Sequence, residues 1–253
     1  MNFNSDIFSS DIQKTIDGNF IHFVNIKDID MKLETLIKDS IISIWNGDSG
    51  TPMDIVKMEI FNFLKTKNDD IKKGAIAEFI IHLYLKDCGF NQECLFKNLE
   101  EGSIKKGFDG YYSFSNEEWI MESKSGSIGT DGISHKKKIK EAYDDLKNKV
   151  EGNTTNNPWS NAYNHAIAAG TSLDIIKNIK KLSHNYVRNI FPDIRTLNII
   201  PASTIYHDGN WDDNLVRPDH DTISKMIESF NYQKINIICV NKKSIDAIIE
   251  RMI

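Results

Sequence analysis

Residues 107–124 run Gly107-Phe108-Asp109-Gly110-Tyr111-Tyr112-Ser113-Phe114-Ser115-Asn116-Glu117-Glu118-Trp119-Ile120-Met121-Glu122-Ser123-Lys124. Aromatic residues punctuate Gly107–Phe114, which reads as a strand, and Ser115-Asn116 make a turn. Trp119–Lys124 then reads as the hairpin partner. Successive side chains on a strand point to opposite faces, so Glu122 and Lys124 share one face while Ser123 points away. Asp109 stands at the other strand of the hairpin, which brings two carboxylates and an ammonium to one place. The apolar Ile120 lets this strand run out of a core into a cleft.

Reading outward, the chain alternates helical and extended patterns. Upstream, Phe20–Ile26 reads as a strand and a helix is expected around Ile29–Lys38. Pro52 suits the first turn of a helix over Met53–Leu64. Asn68-Asp69-Asp70 offers an N-cap for a helix over Ile71–Lys86, whose apolar stripe includes Ala75, Ile76, Phe79, Ile80, Leu83 and Tyr84. Glu78 lies beside that stripe, an uncommon place for a carboxylate because an unpaired buried charge is costly. Glu93–Lys97 reads as a short strand.

Downstream of a glycine and serine loop, Ser134 opens a polar, lysine-rich helix reaching Val150. Trp159–Tyr186 is helical, Arg195–Tyr206 and Ile235–Val240 are strands, and helices follow over Asp221–Phe230 and Ser244–Met252. This order describes an α/β fold with a mixed sheet flanked by helices. Residues 1–70 are expected to form an N-terminal α/β extension packed on a core of residues 71–253, with a helical insertion around 151–194.

Carboxylates supply the hard oxygen ligands that magnesium or manganese takes. Phosphodiester hydrolysis uses such a cation to bind the scissile phosphate and lower the pKa of an attacking water. Lys124 would orient water or, as its neutral amine, deprotonate it, and as its ammonium would stabilise the pentavalent phosphate, while the small Ser123 leaves its backbone carbonyl as an extra ligand. Glu-x-Lys or Asp-Gly alone carries little weight. Their order, spacing and strand context carry the reading.

With a glutamate-bearing helix (Ala77-Glu78), then Phe108-Asp109-Gly110, then Glu122-Ser123-Lys124, then a helix, the chain resembles the PD-(D/E)xK nucleases over residues 72–150. That resemblance implies a restriction-endonuclease-like core and magnesium- or manganese-dependent cleavage of DNA. It implies Asp109 and Glu122 as metal ligands, Lys124 as catalytic lysine, and Glu78 completing the metal shell directly or through water. Phe108 stands where the nominal motif has proline. Within the superfamily the chain is similar to the nuclease subunit of Hachiman-type antiphage systems, which implies an effector acting with a helicase partner. Where that family has Gly-Glu on the helix, this chain has Ala77-Glu78. The rival readings are a non-catalytic DNA-binding or assembly subunit that keeps the nuclease fold, and a small-molecule metal hydrolase.

Composition frames these readings. With 253 residues, 40% hydrophobic and 26% charged, the chain can bury a core without staples. A net charge of -5 argues against bulk coating of nucleic acid but not against a metal-dependent nuclease, whose own site is acidic. Cys88, Cys94 and Cys239 form no Cys-x-x-Cys pair and read as small buried residues of a reduced, cytoplasmic protein. No secretory leader is expected, and the apolar runs fall short of the roughly 20 residues a membrane span needs. No phosphate-binding Gly-x-x-x-x-Gly-Lys-Ser/Thr loop occurs, so any ATP-driven step belongs to another protein. The lysines of His135–Lys140 read mostly as a solvated helix face, and His82 and His165 as packing or surface residues. The acidic loop Tyr206–Asp221 lacks the glycine and glutamate of a calcium loop.

Overall fold

A computed structural model describes residues 5–97 and 107–253, apart from Ile16 and Asp48. Its first strands, β1 (Ser10–Lys14) and β2 (Phe20–Ile26), are followed by helices α1 (Met31–Asn46), α2 (Met53–Lys65) and α3 (Asp69–Asp87). Then come β3 (Asn91–Gln92), β4 (Gly110–Phe114), β5 (Glu117–Ser127) and α4 (His135–Val150). The chain continues through α5 (Pro158–Ala168), α6 (Leu173–Val187), β6 (Asn198–Tyr206), α7 (His220–Ile227), β7 (Lys234–Lys242) and α8 (Asp246–Met252).

Seven strands form one sheet in the order β1-β2-β7-β6-β5-β4-β3. The four central strands, β2, β7, β6 and β5, are parallel, and antiparallel pairs finish both edges. Parallel strands buried on both faces read as continuous apolar runs, and β6 is buried along its whole length. Pro201 lies inside this central strand, where it cannot donate to a ladder. The β6–β7 pairing accordingly skips Ile200 and Pro201, running from Ile199 opposite Ile235 to Ala202 opposite Ile238.

Strand alternation sorts the core into two layers. Val24, Trp119, Met121, Ile200, Ile238 and Val240 pack with α1, α2, α3 and α8 on one face. Ile21, Phe23, Ile120, Ile199, Ile237 and Cys239 pack with α4, α5, α6 and α7 on the other. This is the mixed sheet with flanking helices expected of a restriction-endonuclease-like α/β fold. The first seventy residues contribute two strands to the common sheet, and α5 and α6 pack on each other within residues 151–194.

Several elements differ from the sequence reading, among them β4, which starts at Gly110 and not Gly107, and β6, which starts at Asn198 and not Arg195. The first helix continues to Asn46, because Ile37, Ile41, Ile44 and Trp45 recur on one face and are all buried. Residues 93–97 are irregular, and the short strand beside β4 is Asn91–Gln92. The edge strand β1, with a mostly polar sequence and little burial, carries no apolar alternation that would announce it. Among the described residues no helix is long and apolar enough to cross a membrane.

Candidate active site

The hairpin of β4 and β5 turns at Ser115-Asn116, both with positive φ (50° and 63°). That is the backbone a tight two-residue connection requires, and asparagine tolerates it well. The pairing runs from Phe114 opposite Glu117 to Gly110 opposite Met121. There β4 ends, while β5 continues for six more residues paired only with β6. The motif Glu122-Ser123-Lys124 therefore begins where one neighbouring strand stops.

Asp109, just before β4, fills the fork. Its Oδ2 accepts a hydrogen bond from the Ser123 backbone N–H at 2.9 Å. The N–H and C=O of one strand residue leave the same edge, so the Ser123 carbonyl is directed to the edge that Asp109 occupies. Gly110 is needed beside it, since a Cβ there would meet the Tyr112 ring at 2.5 Å.

Glu122 and Lys124 project toward α4, in keeping with period-two geometry. Glu122 is 3% exposed. Lys124 Nζ lies 3.0 Å from Glu122 Oε1 and 2.5 Å from Asp145 Oδ2 on α4. Lys149 Nζ, from the last turn of the same helix, lies 2.5 Å from Glu122 Oε2. Burial pulls the Lys124 ammonium down, but Glu122, Asp145 and Asp109 outweigh it and hold its pKa above the ordinary lysine value. Lys124 is thus a fixed positive charge near neutral pH.

Glu78 occupies the layer across the sheet. It is buried on α3, with its Oε1 3.8 Å from His82 Nε2. His82 Nδ1 in turn meets the Tyr112 hydroxyl at 2.5 Å. Burial, and then the charges of Glu78 and Asp109, push the Tyr112 hydroxyl far above its usual range. The structure brings Asp109, Glu122, Ser123 and Lys124 together, while the contact of Glu78 is with His82 on its own helix.

The donor chemistry suits a hard divalent cation. Asp109 and Glu122 offer carboxylate oxygens and Ser123 a peptide carbonyl, and magnesium keeps several waters beside such a small protein set. Among the described residues no three His, Cys, Asp or Glu side chains are drawn into a cation cage. Both oxygens of Glu122 are engaged by lysines.

Asp145 and Lys149 were not singled out as site residues in the sequence. Their signal is helical: they are four apart on α4, flanking the buried stripe of Ala142, Leu146 and Val150. Of the other candidates, His165 and Trp159 are buried in α5, Trp159 as core. Lys138 and Lys140 pair with Glu141 and Asp144 along α4, as a solvated face does. All three cysteines are buried, and none is in a disulfide.

A search among curated proteins returns no match. A protein-family model described as HamA matches residues 1–253. Because that match runs the length of the sequence, the chain belongs to the HamA family of Hachiman antiphage defence, a multi-component system.

Proposed function

We propose that this chain is a metal-dependent nuclease of the PD-(D/E)xK type that hydrolyses DNA phosphodiester bonds, acting in antiphage defence with a helicase partner. The observation that carries this reading is the fork at the end of β4, where Asp109 meets the Ser123 peptide beside Glu122 and Lys124. Asp109, Glu122 and the Ser123 carbonyl would hold magnesium or manganese, with Glu78 contributing from α3. The ion supplies Lewis-acid charge to the scissile phosphate and acidifies a water.

The chain's own residues do the rest. Lys124, held beside Glu122 and Asp145, stabilises charge that develops on the phosphate. Asp145 fixes the direction of that ammonium through its 2.5 Å contact. A single prepositioned charge of this kind contributes about 10²–10³ in rate.

The test is cleavage of supercoiled and linear DNA with magnesium or manganese, alone and with any helicase encoded beside the gene. Glu122→Gln and Lys124→Ala should each lower the rate by about 100-fold or more. Equal activity in the variants and the wild type would remove these residues from the chemistry. No cleavage under any condition would favour a DNA-binding or assembly subunit that retains the fold.

A further inference from the structure

Glu122 is held by two ammoniums, and only one of them belongs to the motif. Lys149 is 18% exposed at its side chain and Glu122 3%, so this pair is far less solvated than the surface pairs along α4. Surface pairs contribute little to stability, whereas a carboxylate buried without compensation is strongly destabilising. Asp145, one turn before Lys149, holds Lys124, and the result is an alternating ladder of Lys149, Glu122, Lys124 and Asp145 across the helix–sheet contact. Lys124 retains Asp145 when its contact with Glu122 loosens, while Lys149 stands directly on Oε2 at 2.5 Å.

We propose that Lys149 is a positioning residue of this site, an ammonium that holds Glu122 in place and competes with the divalent cation for its Oε2. The proposal rests on the nuclease reading and adds a control to it. The position of Lys149 on α4 sets the cation concentration at which the site loads. Two cations beside one carboxylate repel each other, so removing the ammonium should tighten cation binding, by about tenfold.

The experiment is manganese binding to the full chain without DNA, measured by titration calorimetry on wild type, Lys149→Met, Lys149→Arg and Glu122→Gln. Lys149→Met keeps the aliphatic stem and removes the charge, and should bind manganese about tenfold more tightly. Lys149→Arg should stay within about twofold of wild type, because it restores the competing charge. A residue that merely supports the fold would loosen the site when changed, so tightening separates the two roles. Unchanged or weaker binding in folded Lys149→Met, with binding lost in Glu122→Gln, would overturn the proposal and leave the nuclease reading standing. Manganese binding as strong in Glu122→Gln as in wild type would overturn the metal site itself. If Lys149→Met does not fold, judged by circular dichroism, Lys149→Gln is measured against the same expectations.

Discussion

Asp109 supports the fold and, under the proposed function, would also hold the cation, and the two contributions can be separated. Its carboxylate takes the Ser123 N–H, a peptide group that β4 no longer reaches. Asp109→Ala leaves that donor without its acceptor and should cost about 1–3 kcal/mol. Asp109→Asn keeps a carbonyl oxygen there, so it should remain within about 1 kcal/mol of wild type while losing cleavage. Urea denaturation run beside the DNA assay checks this. Equal destabilisation by both changes would mean that the charge, and not the hydrogen bond, supports the hairpin. At this scale Asp109, Glu122 and Lys124 were legible because strand alternation puts Glu122 and Lys124 on one face and the turn brings Asp109 alongside. Lys149 and Asp145 were not, because α4 is separated from β5 by a loop and its charges also fit a solvated helix. Only tertiary docking reveals which of them meet Glu122 and Lys124.

Among the elements, α5 and α6 pack on each other and share the side chain of Asn157. Asn157 accepts hydrogen bonds from the N–H groups of Trp159 and Ser160, capping α5, and its amide donates to the Ser183 carbonyl and hydroxyl on α6. A lost cap costs typically about 1 kcal/mol, and each hydrogen bond between elements a similar amount. Asn157→Ala should therefore destabilise the protein by about 3 kcal/mol, and Asn157→Asp, which restores the cap but not the donor, by about 2 kcal/mol. Chemical denaturation measures both. If Asn157→Asp matches wild type, the link to α6 contributes nothing. Most helices and central strands were legible from apolar spacing, and the turn at Ser115-Asn116 from its residue types. The extension of α1 to Asn46 was not, since β-branched Ile41, Ile42 and Ile44 disfavour helix locally and burial in the α1–α3 layer overrides them. The premature end of β4, which opens the site, has no signature in its own residues.

For the whole molecule, buried histidines set the acid limit of stability. His22 is 3% exposed beside the Tyr84 hydroxyl, and burial, helped by the charge of His220, lowers its pKa to about 3. His135, bound to Ser203 and Asn241, is lowered to about 4 by burial and by His207, with Asn241 partly offsetting. Both folded values lie below the unfolded value near 6.5, so the unfolded chain takes up protons first as pH falls. The stability is intact above pH 6.5 and is lost progressively below it, by about 2 kcal/mol per histidine between pH 7 and pH 5. His22→Gln should shrink the difference between urea midpoints at those two pH values, and an unchanged difference would mean that His22 is not its source.

The sheet order carries a consequence for synthesis. β2 pairs with β7, and Asn25 reaches Asn241 from 216 residues away in sequence. At about 5–20 residues per second, β2 waits roughly 10–40 s on the ribosome before its partner exists. β5 likewise gains its parallel neighbour only after β6 emerges. The fork that holds Asp109 and Glu122 is thus completed only after β6 has emerged.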